Sequence, residues 1–128
     1  MTIRISTHKQ STIEAMADDD LITIDISIDC INDSNIANVT VVKQSERNVA
    51  KTYKCTRDDI LDAIKIVTQQ YHRSYYATAT NYLTNEVTRI NFERVDDDHY
   101  QMQIDFDITL DMTREQLLSF ARCFTRGC

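Results

Sequence analysis

The stretch YQMQIDFDITLD, residues 100–111, alternates apolar and polar side chains without a break. Tyr100, Met102, Ile104, Phe106, Ile108 and Leu110 fall on one side. Gln101, Gln103, Asp105, Asp107, Thr109 and Asp111 fall on the other. LITIDISID, residues 21–29, repeats the pattern, with Ile22, Ile24, Ile26 and Ile28 against Thr23, Asp25, Ser27 and Asp29. Successive strand side chains point to opposite faces, so each stretch reads as a strand with one covered and one solvated face. Strands of that kind belong to antiparallel sheets whose second face meets water.

The remaining segments arrange themselves around these two. Residues 2–6 can form a short first strand, and 10–20, QSTIEAMADDD, read as a loop or a single helical turn. Residues 35–44 and 48–55 form a hairpin closed at 45–47. The period then becomes helical. Thr56 is placed to cap a helix whose first turn carries Asp58 and Asp59, where the helix dipole favours negative charge. Ile60, Leu61, Ile64, Val67 and Tyr71 form its apolar stripe. With no glycine or proline to stop it, this helix is expected to run on, or restart, to about residue 84. Residues 86–95 and 99–111 then pair as a hairpin turning at Asp96, Asp97 and Asp98. A last helix starts at a capping box, Thr113 with Gln116, and buries Leu117, Leu118, Ala121 and Phe124. CTRDDILDAI and MTREQLLSFA echo one another at the two helix starts, which capping chemistry explains as well as duplication does. The expectation is one α+β domain over residues 1–128. It has a largely antiparallel sheet of five to six strands, in the order βββ-α-ββ-α, and two main helices packed on one face.

Composition narrows the function. Gly127 is the single glycine and there is no proline. Tight primed turns, glycine-rich phosphate loops and the nucleophile elbow all need glycine's freedom at positive φ, so phosphate-cradling motifs are excluded and most nucleotide-binding folds are not expected. The formal net charge is −6, and most of the 20 acids are aspartates. Such a chain is repelled by nucleic acid backbones and anionic membranes, so neither is expected as a direct partner, and a basic protein is the natural complement. Four scattered cysteines without a CxxC, and an N-terminal stretch lacking an apolar signal core, suggest a cytoplasmic protein with reduced thiols. Cys123 and Cys128 with His8, His72 and His99 match no zinc-ligand spacing, and no cofactor is expected.

The candidate partner-binding residues are Asp25, Asp29, Asp96, Asp97, Asp98, Asp105, Asp107 and Asp111. If 21–29 and 99–110 share a sheet, Asp25, Asp29, Asp105, Asp107 and Asp111 face the same way. Second neighbours on a strand sit roughly 7 Å apart and repel by about 0.6 kcal/mol in water. Lys43, Lys51 and Lys54 on a neighbouring strand, or the cations of a partner, would offset this. Charge is segregated, since residues 18–33 hold acids and no bases while 43–57 is rich in bases. Asp-x-Asp at 105–107 lacks a third ligand or nearby base, so no enzyme is expected. Tyr71, Tyr75, Tyr76 and Tyr82, with His72, read at helical spacing as the edge of a core. Exposed, they would be interface anchors.

These features favour a small acidic inhibitor that neutralises a basic protein by covering its active surface, an immunity protein for a nuclease-type toxin being the leading case. A nucleic-acid mimic of the anti-restriction or anti-CRISPR type would need a longer continuous acidic stripe. A secretion-type chaperone would need exposed apolar grooves. The sequence leaves the oligomeric state open.

Overall fold

A computed structural model describes residues 8–17, 19–29, 35–46 and 49–125. The proposed strand over 2–6 lies outside them. The elements run β1 His8–Ala17, β2 Asp20–Asp29, β3 Ile36–Lys43, β4 Ala50–Thr56, α1 Arg57–Thr68, β5 Ser74–Asn81, β6 Val87–Arg94, β7 His99–Ile104, β8 Ile108–Thr113 and α2 Arg114–Thr125. Among the described residues the fold is α+β, with one antiparallel sheet and two α-helices. The sheet has eight strands in chain order, so five to six was too few, and the order is ββββ-α-ββββ-α. Among the described residues no helix is long and apolar enough to cross a membrane.

Three segments account for the difference. Residues 8–17 are a strand, paired along their whole length with β2. Glu14, Ala15, Met16 and Ala17 favour helix intrinsically, and pairing overrides that preference. Residues 74–81 are also a strand. Its inward side chains, Ala77 and Ala79, are buried but too small to announce a strand by hydropathy. The helix before it ends at Thr68 without glycine. Gln70 takes φ 62°, the Tyr71 amide donates to the Ile66 carbonyl at 3.0 Å, and the Gln70 amide donates to that of Val67 at 3.3 Å. This is the Schellman closure, with glutamine where glycine usually stands.

The third is the alternating stretch itself, which is a hairpin. Ile104 pairs with Ile108 across Asp105, Phe106 and Asp107. A loop of odd length between directly opposed residues keeps the inward and outward parity, so period two cannot distinguish this hairpin from one long strand. Asp105 and Phe106 take φ 54° and 59°, and the Asp107 amide donates to the Ile104 carbonyl at 3.1 Å, as in a primed turn. Asp19 and Asn85, at φ 62° and 60°, likewise turn the chain without glycine. Aspartate and asparagine tolerate this region better than other side chains with a Cβ, which accounts for part of the aspartate surplus.

The core is continuous between the sheet and the helices. Ile22, Ile24, Ile26 and Ile28 meet Val39, Tyr53, Phe92, Tyr100, Met102 and Leu110, with Ile60, Ile64 and Val67 of α1 and Leu117, Phe120 and Phe124 of α2. Phe120 stands 6.3 Å from Phe92 and 5.2 Å from Phe124, ring to ring. The expected capping box forms, with the Gln116 amide donating to Thr113 Oγ1 at 3.1 Å and the Thr113 amide to Gln116 Oε1 at 2.9 Å. Thr56 sits at the N-cap of α1 but makes no side-chain capping bond. Each half of the molecule is four antiparallel strands followed at once by a helix of 12 residues, and the sequence echo falls at the same point in both. Within the sheet the halves join through three pairs between β4 and β5, Tyr53 with Asn81, Lys54 with Thr80 and Cys55 with Ala79.

Candidate functional site

The carboxylates expected on a common face are divided by the β7–β8 turn. Tyr53, Lys43 and Lys51 all lie on the inward register at one end of the sheet, and the turn folds over that end. Asp105 accepts the Tyr53 hydroxyl at 2.7 Å and the Thr88 hydroxyl at 2.6 Å. Asp107 accepts Lys51 at 3.1 Å and Lys43 at 3.3 Å. The bond from Lys51, with that from Lys43, holds the Asp107 carboxyl below the usual carboxylate range. Burial, then the bond to Asp105, pushes the Tyr53 phenol well above its ordinary value. Two of the three lysines named as cross-strand partners thus meet one aspartate. The expectation that Asp105 and Asp107 share a wet face with Asp25 is corrected, because the chain reverses where a strand was read.

Asp25 does face solvent on β2, where it accepts the Thr12 hydroxyl of β1 at 2.7 Å. Asp29 pairs through its backbone with His8. Asp111 is exposed on β8 and accepts Gln101 Nε2 at 3.0 Å. Asp96, Asp97 and Asp98 form the β6–β7 turn as expected, at the end of β7 opposite to Asp105. Asp96 accepts the amides of Asp98 at 2.9 Å and His99 at 3.0 Å, and its carboxylate meets the His99 ring at 2.7 Å. The Asp98 amide holds the Asp96 carboxyl below its usual range, and Asp96 raises the His99 imidazole. Asp20, of the other triplet, accepts the amide and hydroxyl of Ser45. Asp97 and Asp98 make no side-chain bond among the described residues. The Asp29 side chain lies outside the described residues, and the rest of the predicted set occupies two ends and the outer face of the sheet rather than one surface.

A different constellation comes together beside α1. Because β4 pairs with β5 over three positions only, Ser74–Thr78 has no β4 partner, and α1 lies alongside it. Between them runs a groove of about 630 Å³, lined by Asp59, Asp62 and Lys65 of α1 and by Tyr71, Tyr75 and Tyr76. The three tyrosines are 70%, 41% and 43% exposed, a correction to their reading as core edge. His72 stacks on Tyr75 at 6.0 Å, Tyr75 on Tyr76 at 6.1 Å, and Arg89 lies 4.2 Å from the centre of the Tyr76 ring. The stacked row and the guanidinium hold the rings in place. Asp58, Asp59 and Asp62 are exposed and make no side-chain ion pair among the described residues.

The sequence carried a signal for this site. Tyr, Tyr, Ala, Thr, Ala, Thr from 75 to 80 is rich in strand formers, and a strand there removes the tyrosines from the helical stripe. Comparison with family models, with curated proteins and with solved structures returns no match.

Proposed function

We propose that this protein is a small acidic protein-binding inhibitor that neutralises a basic partner by covering its active surface. The partner class that fits is a nuclease-type toxin, whose cationic phosphate-holding site complements carboxylates, which makes this an immunity protein. The observation that carries the reading is the groove in which Tyr71, Tyr75 and Tyr76 stand exposed beside Asp59 and Asp62. Stacked aromatics lose little entropy on binding and supply buried contact that slows release, while exposed carboxylates that outnumber the one lysine of the groove speed capture of a cation. The partner face therefore centres on α1 and β5, with exposed Asp25, Asp97, Asp98 and Asp111 contributing to the long-range field. The dispersal of the carboxylates over both ends and the outer face gives less support to a duplex mimic.

The test is co-expression with basic proteins encoded beside it, followed by assay of the bound protein's nuclease activity. The wild type is expected to abolish that activity. Tyr75→Ala with Tyr76→Ala is expected to speed dissociation, and Asp59→Lys with Asp62→Lys to slow association and flatten its salt dependence. A partner that binds but keeps its activity, or binding indifferent to both pairs of substitutions, would remove the proposal.

A further inference from the structure

The other large depression lies where the sheet ends. β1 and β8 are its two edge strands, and among the described residues neither pairs with a strand on its outer side. They nonetheless come together with α2 around a cleft of about 1160 Å³. Ile13, Ala15, Leu21 and Met112 give it an apolar lining, and Gln116, Ser119 and Cys123 of α2 form a wall. Its ionisable carboxylates are Glu14, Asp111 and Glu115, and among the described residues no lysine, arginine or histidine lines it. Met16, at the same place, is 61% exposed.

We propose that this cleft is a second binding site, which takes an extended, basic segment of a protein partner as an added strand. An edge strand presents backbone donors and acceptors in a row, and an extended peptide laid along it completes the ladder. A helix beside the edge supplies the second wall, so alternate side chains of the segment point into the apolar lining and the others towards solvent. The charge selects the occupant. Three carboxylates without a cation among the described lining residues favour lysines or arginines between the apolar positions. A second copy of this chain would bring Glu14 towards acids of its own kind, so it is the poorer occupant. The site differs from the tyrosine groove and does not depend on it, although both suit a partner that is basic.

The probe is a labelled alternating lysine–valine peptide of about six residues, the usual length of a strand. It is titrated into the full chain with backbone amide NMR as readout. The expected result is saturable binding that shifts the amides of β1 and of residues 111–123. Glu14→Lys with Glu115→Lys should weaken it by about tenfold, as two partly screened ion pairs would. Glu86→Lys with Glu93→Lys makes the same change of charge on exposed side chains that do not line the cleft, and should leave affinity within about twofold. A peptide methylated on alternate amides keeps its charge but cannot complete the ladder, and it should not bind. Tyr76→Ala should bind the probe normally, which separates this site from the groove beside α1. The proposal falls if the methylated peptide binds equally well, if the shifts map to the tyrosines instead, or if no binding occurs. It also falls if light scattering shows a dimer whose β1 and α2 amides are protected in the absence of peptide.

Discussion

Aspartate does several jobs in this chain that glycine and neutral turn residues do elsewhere. Asp19 and Asp105 reach positive φ, Asp20 and Asp96 fix turns by accepting backbone amides, and Asp107 gathers two lysines. The Asp105 carboxylate matters most, because Tyr53 is 1% exposed and its hydroxyl needs an acceptor. Asp105→Asn keeps a residue that tolerates positive φ and removes the charge. It is expected to lower stability by about 1–2 kcal/mol in urea unfolding, and Tyr53→Phe should couple to it in a double-mutant cycle. Asp107→Asn, at a half-exposed ion pair, should lower it by less than about 1 kcal/mol. His99 gives a pH signature. Its folded-state affinity for protons is raised by Asp96, so its contribution to stability is present below the ordinary histidine range and fades as pH rises through the raised value. Proton NMR should place the His99 titration above that of an ordinary histidine, and Asp96→Asn should bring it down.

At the scale of elements, two backbone positions carry strain that can be relieved. Phe106 stands at φ 59° with its ring 66% exposed, so it has little packing to lose. Phe106→Gly produces the Asp-Gly pair preferred in primed turns and should raise stability by about 1 kcal/mol. Gln70→Gly at the C-terminus of α1 should do about the same. Denaturant midpoints check both, and a lower midpoint in either would contradict the turn assignments. These positions also explain what the sequence disclosed and what it hid. β2, the β3–β4 hairpin, the β6–β7 turn at Asp96–Asp98 and the capping box of α2 were legible because periodicity and capping chemistry agreed. β1 was hidden by helix-favouring residues at an edge, β5 by small buried alanines. The break at Asp105 was hidden by a loop whose parity imitates a continuous strand. The tyrosine groove was obscured for the same reason as β5, since its aromatics are adjacent only once 74–81 is extended.

Across the whole molecule, two similar halves of four strands and a helix are joined within the sheet by three residue pairs between β4 and β5. That short junction leaves room for the groove beside α1, and the opposite edges of the same sheet leave the cleft between β1, β8 and α2. Function on this account sits where pairing stops. Negative charge is divided accordingly, with some carboxylates tied into turns and others, on α1 above all, left to solvent. Encounter with a cationic partner should slow as ionic strength rises, because the Debye length is about 8 Å at physiological salt.

The division of the carboxylates is tested most directly by urea unfolding of two double variants that remove the same charge, Asp105→Asn with Asp107→Asn and Asp59→Asn with Asp62→Asn. The first pair is expected to lose about 1–3 kcal/mol, while the second stays within about 1 kcal/mol of the wild type. Equal losses, or a loss confined to Asp59 and Asp62, would contradict it, because the acids of α1 would then hold the fold and the turn acids would be the spare ones.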